Sequence, residues 1–122
     1  MTSIADTNPA NLPGMNREEL DALDFGLIKL DDTGIIQIYN RYESALASVP
    51  VTIAEGRNFF TQVAPCTNNR LVHGRFKEGV STGEMDLSFS YTLTYKMRPT
   101  NVRMRLYRDA ATETNWVLVQ KQ

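Results

Sequence analysis

The chain has 122 residues, 42% hydrophobic and 22% charged, with 13 Lys and Arg against 14 Asp and Glu. That is the length and make-up of one globular domain with its own core, and it excludes disordered, collagen-like and coiled-coil classes. A formal charge of −1, no apolar run near the roughly 20 residues that span a bilayer, and no signal-like N-terminus lead to the expectation of a soluble, cytoplasmic domain that binds neither nucleic acid nor membrane.

Residues 1–15 are polar, contain two prolines and show no periodicity, so they read as an extended lead-in. Asn16 and Glu19 have capping-box spacing, which starts a short helix over about 17–23 with Leu20 and Leu23 on one side. The runs FGLIKL and IIQIYN flank Asp31-Asp32-Thr33-Gly34, the pattern of a β-hairpin. Asn40 caps a second helix over about 41–48, which stops near Pro50, and Asn58 caps a brief turn through Phe59 and Phe60. Residues 70–80 are predicted helical, with Leu71, Phe76 and Val80 facing inward and Gly83 as the stop. From 86 to 97, Leu87, Phe89, Tyr91, Leu93, Tyr95 and Met97 alternate with polar residues, the mark of a long, half-solvated antiparallel strand. Val102, Met104 and Leu106 alternate in a following strand, and WVLV at 116–119 forms the last. The sum is an α+β domain: a five-stranded antiparallel sheet with short helices on one face.

Three features could carry chemistry. Cys66 is the only cysteine, so it makes no internal disulfide, and with the single histidine, His73, it cannot complete a structural zinc site. Its loop, Val63-Ala64-Pro65-Cys66-Thr67-Asn68, has fixed geometry, so the thiol reads either as a nucleophile or as a small buried hydrophobe. His73 as its base would make a cysteine enzyme, although no hydrolase signature surrounds Cys66. Tyr39 and Glu43, four apart where a strand turns helical, could both hold one anionic oxygen, or Glu43 could only close a capping box with Asn40. Finally, residues 1–66 hold nine acids and four bases and residues 67–122 five acids and nine bases. Arg98, Arg103, Arg105 and Arg108 with Tyr107 form a basic stretch, which is read as a solvated face because Asp86, Asp109 and Glu113 lie close to it in sequence.

The segments F25-G26-L27-I28, I35-I36-Q37-I38-Y39-N40, G56-R57-N58-F59-F60, V63-A64-P65-C66-T67, F76-K77-E78-G79-V80 and Y91-T92-L93-T94-Y95 together resemble the photoactive yellow protein family, from about residue 20 to the end. The resemblance implies a PAS domain over 25–122 behind an N-terminal cap of residues 1–24. It implies a blue-light photoreceptor in which Cys66 carries p-coumaric (4-hydroxycinnamic) acid as a thioester. Tyr39 and a protonated Glu43 would hold the phenolate, and the Cys66 N–H would bind the thioester carbonyl. Ile28, Phe59, Val63, Ala64, Thr67, Leu93, Tyr95 and Met97 would line or border the pocket, the Met97 position being tied in the family to thermal re-isomerisation. The signal would be trans-cis isomerisation, proton transfer from Glu43 and partial unfolding of the N-terminal segment. The remaining readings are a PAS module for another ligand or for a partner protein, and the Cys66–His73 enzyme.

Three positions depart from the family pattern: Ala47 stands where a threonine commonly bonds the tyrosine, Val49 where an arginine shields the pocket, and Leu93 where a phenylalanine lines it. The downstream signalling partner is unnamed by the sequence, and the expected state is a monomer or weak dimer.

Overall fold

The computed structural model describes residues 4–94 and 98–122. Its helices are α1 (Arg17–Asp21), α2 (Arg41–Ala47), α3 (Val51–Ala54) and α4 (Arg75–Thr82). Its strands are β1 (Gly26–Leu30), β2 (Ile36–Tyr39), β3 (Asp86–Leu93), β4 (Thr100–Asp109) and β5 (Thr114–Lys121). All neighbours pair antiparallel in the order β2-β1-β5-β4-β3. The α+β, five-stranded expectation holds.

Local chemistry explains where elements begin and end. The Asp31 carboxylate accepts from the Thr33 N–H, the Thr33 hydroxyl and the Ile35 N–H, and Gly34 takes φ +95°, so the β1–β2 turn is closed as its sequence requires. Asn16 and Glu19 form the full capping box of α1. The helix is shorter than the 17–23 expected, ending at Asp21, and Leu23 is half-buried beyond it. The lead-in is not extended throughout: Asn8 caps a 3-10 turn, Pro9–Gly14, that buries Leu12.

The stretch 70–80 departs further from expectation. Asn69 caps a π-helical turn, Arg70–Gly74, before α4 begins. The wider turn shifts the inward face by one residue, so Val72 is buried and Leu71 is 38% exposed. Phe76 points inward as expected, whereas Val80 is half-buried and the α4 backbone at Gly79 lies directly on Met85. A second π-helical turn, Phe59–Val63, replaces the brief turn read at 59–60. Of the long alternating strand, residues 86–93 are β3, with Leu87, Phe89 and Tyr91 half-buried above exposed serines, and 95–97 lie outside the described residues.

Both faces of the sheet are covered. Ile28 and Leu30 of β1, Met104 of β4, and Val117 and Val119 of β5 face the helices and the loops around Phe59, Phe60 and Phe76. Leu27, Trp116 and Leu118 face the other way, against Ile4, Leu12, Leu20 and Phe25. This two-sided burial is why 116–119 reads as an unbroken apolar run rather than an alternation. Arg105 of β4, 8% exposed, fastens the N-terminal segment from beneath: its Nη1 donates to Ile4 O and Thr7 O, both at 2.9 Å, while its Nε and Nη2 bind the Asp86 carboxylate.

Candidate functional site

Residues from both halves of the chain enclose a small cavity on the helical side of the sheet. Tyr39 ends β2 and Glu43 sits in the first turn of α2. Ala47 and Val49 follow them, Phe59, Val63, Ala64 and Cys66 come from the central loops, and Leu93, Met104 and Val119 form the sheet wall. Its free volume of about 20 Å³ is room for one water. A larger guest enters only as the loop side chains move apart.

Asn40 sets the polar end. Fully buried, its Oδ1 accepts from the Glu43 N–H and the Leu27 N–H, and its Nδ2 donates to Leu20 O and Phe25 O. The reciprocal half of the capping box is absent, because the Asn40 N–H goes to Leu27 O instead. Glu43 is thereby free of the capping role that its spacing also allowed, and its carboxyl turns inward, 3% exposed. Burial pushes its pKa up to about 8, so it is a neutral acid at pH 7. Burial, with Glu43 adding to it, also raises the Tyr39 phenol, which stays protonated. Tyr39 OH and Glu43 Oε1 are both buried without a hydrogen-bond partner among the described residues. Each such orphan costs about 1–3 kcal/mol. Two neutral oxygen acids that lack an acceptor are the donor set an anionic oxygen satisfies.

Cys66 lies at the other end, half-buried, in a 3-10 turn Pro65–Thr67. The Thr67 and Asn68 N–H groups close that turn on Ala64 O and Pro65 O, leaving the Cys66 N–H outside these bonds. Its carbonyl is clamped by Tyr91 OH at 2.5 Å and Asn69 Nδ2 at 3.2 Å, the latter also donating to Tyr91 OH. His73 is committed elsewhere: its ring stacks on Phe60 at 4.1 Å and its Nδ1 bonds Asn68 Oδ1 at 2.8 Å. No hydrogen bond joins it to Cys66 among the described residues.

Nine of the residues singled out in the sequence therefore meet at one cavity: Tyr39, Glu43, Ala47, Val49, Phe59, Val63, Ala64, Cys66 and Leu93. Two others do not reach its surface. Ile28 is wholly buried behind it, paired with Tyr39 and Val117 in the sheet. Thr67 is turned onto its own loop, its hydroxyl bonded to Ala64 O at 2.6 Å. Tyr95 and Met97 lie outside the described residues. Met104 and Val119 were missed, although they are paired across β4 and β5 and share the face of Val102 and Val117. Their alternation carried the signal, but not which stretch of the sheet the loops would cover.

The sheet order, the helices α2–α4 on one face and the loop-enclosed cavity define a PAS domain. The PAS domain of BvgS from Bordetella pertussis superposes with a TM-score of 0.63 at 16% identity, covering 91% of this chain and 84% of that one, a likeness of fold alone. At the level of sequence, the photoactive yellow protein of Rhodothalassium salexigens is 37% identical over 107 residues, 88% of this chain and 86% of the relative. That of Halochromatium salexigens is 35% identical over 111 residues, 91% of this chain and 89% of the relative. The photoactive yellow protein domain of the sensor histidine kinase Ppr from Rhodospirillum centenum is 40% identical with a TM-score of 0.85, covering 91% of this chain and 97% of that one. This chain belongs to the photoactive yellow protein family. No protein-family model matches it.

Proposed function

We propose that the protein is a blue-light photoreceptor that carries p-coumaric acid as a thioester on Cys66. The observation that carries the reading is the pair of orphaned donors, Tyr39 OH and Glu43 Oε1, buried in the same cavity that the lone cysteine borders. When bound, the group supplies a conjugated phenolate that absorbs blue light and isomerises from trans to cis. Loading would form a bond from Cys66 Sγ to the acyl carbon of an activated coumaroyl ester, whose leaving group departs with the thiol proton.

The chain's own groups do the rest. In water a phenol has a pKa of about 10 and a glutamic acid about 4.3, so the proton would lie on the phenol. Here burial would hold it on Glu43, and hydrogen bonds donated by Tyr39 and Glu43 would favour the phenolate. Glu43, held neutral by burial, is the acid that would give up its proton once those bonds were broken. A carboxylate would then stand unpaired in an apolar site, at a cost of several kcal/mol against a total stability of roughly 5–15 kcal/mol. The N-terminal segment packs on the far face of the same sheet and is joined to the site through Asn40, so its partial release is the proposed signal. The protein would act in the cytoplasm, as a monomer or weak dimer, on a signalling protein yet to be identified. Among the described residues no helix is long and apolar enough to cross a membrane.

Chromophore-free protein mixed with an activated p-coumaroyl ester should turn yellow, gain the mass of one coumaroyl group and bleach reversibly in blue light. Cys66→Ala should do none of these. Absence of an adduct on the wild-type Cys66 overturns the reading and leaves a PAS module for another ligand or for a partner.

The orphaned Tyr39 OH also bears on colour. Ala47 lines the same cavity and offers no hydroxyl to orient it, so the phenolate should be held more weakly than in relatives with threonine there. In a pH titration of the visible spectrum, Ala47→Thr should move the loss of yellow to lower pH. A wild-type spectrum that stays purely yellow down to strongly acidic pH would sink this expectation.

A further inference from the structure

Gly26, the first residue of β1, lies against the Glu43 carboxyl. A Cβ on Gly26 would overlap Glu43 Oε1 and stand 3.2 Å from its Cδ and 3.3 Å from its Cβ. Non-bonded heavy atoms rest near 3.5–4.0 Å, so the first of these positions is the same space claimed twice. The positive φ values among glycines belong to Gly34, Gly56 and Gly83, not to Gly26. What glycine supplies at 26 is room rather than an unusual backbone.

The two backbones cannot easily separate, so the carboxyl, the free end of a flexible side chain, is the group that must move. Gly26 is held in register with Val119, itself a wall of the cavity, and the neighbouring Leu27 N–H is bonded to Asn40 Oδ1. The Glu43 N–H is fixed to the same Asn40 oxygen at 3.0 Å. One buried side chain therefore locks the spacing between the β1 backbone and the first turn of α2. The carboxyl oxygen that fills the gap has no hydrogen-bond partner among the described residues, so steric fit, not a bond, decides where it rests.

We propose that Gly26 is a positioning residue: the notch left by its missing side chain receives Glu43 Oε1 and sets the direction in which the acid faces the site. The functional meaning rests on the photoreceptor reading, in which that acid holds and then releases the proton. A methyl group at 26 would drive the carboxyl out of the notch. The phenolate would lose one of its two donors, and its pKa would rise.

Two measurements test this. The first needs no chromophore. In a double-mutant cycle read by urea unfolding, Gly26→Ala should lower the midpoint markedly in the wild-type background. In a Glu43→Ala background the same change should cost little, because the atom it would strike is gone. Equal cost in both backgrounds, no cost in either, or failure of both Gly26→Ala proteins to fold would each overturn the proposal. The second uses loaded protein. Gly26→Ala should raise the pH at which yellow is lost by about one unit or more, the size expected for one hydrogen bond to a charged group. An unmoved midpoint would overturn it as well. If wild-type Cys66 takes no chromophore, the photoreceptor reading fails separately, and the notch stands or falls on the cycle.

Discussion

Chromophore-free protein should lose stability as the pH rises from about 4.5 to about 8, and Glu43→Gln should abolish most of that loss. The folded Glu43 keeps its proton up to about 8, because burial penalises the carboxylate, while the unfolded chain releases it near the ordinary value of 4.5. Between those limits the folded state binds one proton more than the unfolded, so stability is complete below 4.5 and falls by about 1.4 kcal/mol per pH unit up to the folded pKa. Tyr39, the other titratable group at this end of the cavity, is pushed upward by burial and stays neutral throughout. His73 acts in the same window with the opposite sign. Burial, followed by the charge of Lys77, lowers its pKa below 6.5, so the folded state gains as that histidine deprotonates. The raw curve is therefore a sum, and the difference between wild type and Glu43→Gln isolates the acid. Urea midpoints across pH 4–9 check the prediction, and parallel curves for the two proteins would refute it.

Arg105→Met should free the N-terminal segment while leaving the domain folded. The guanidinium makes two bonds to the Asp86 carboxylate and two to the Ile4 and Thr7 carbonyls, from a position only 8% exposed. Methionine keeps much of the apolar stem but none of the donors. Asp86 is about half exposed, so the ion pair itself is worth little. The larger loss is of charge-assisted bonds to backbone carbonyls on the covered face of the sheet, and the total should be about 2–4 kcal/mol. Ile4 and Leu12 remain as apolar anchors, both essentially without exposure. The expected result is faster proteolytic clipping within residues 1–15, with the remaining domain protected and still able to take up chromophore. Unchanged cleavage would show that the apolar anchors alone hold the segment.

That arginine illustrates where sequence reasoning stopped. In the alternation of β4 it belonged to the polar set and counted as part of a solvated face, but a second layer of chain covers that face. Nothing local announces such a layer: Ile4 and Leu12 are single apolar residues in a polar stretch, and their burial depends on Trp116 and Leu118, more than 100 positions away in sequence. Features set by neighbours were legible, such as the Asn16 capping box, the Asp31–Gly34 turn and the positive-φ stop at Gly83. The π-helical turn at 70–74 was not, since one additional residue per turn leaves no compositional trace yet exchanges Leu71 for Val72 in the core. At the site, Cys66, Tyr39 and Glu43 stood out by type and spacing. The choice between capping and function for Glu43 did not, because it depends on where the Asn40 N–H goes, and that is a matter of strand pairing.

Two-sided covering of the sheet also restricts how anything else could read the state of this molecule. The helical face is filled by its own loops and the opposite face by residues 4–20. The outer edge of β2 is stitched as well, with the Ile36 N–H bonded to Arg57 O, the Gly56 N–H to Ile36 O, and the Tyr39 N–H to Glu55, which is itself paired with Arg17. Among the described residues, a partner seeking the sheet would have two approaches: the outer edge of β3, or the surface that residues 4–20 would uncover if they left as proposed. On the proposed photocycle the second would open only in the signalling state, so the covering segment would lock that surface as well as cover it.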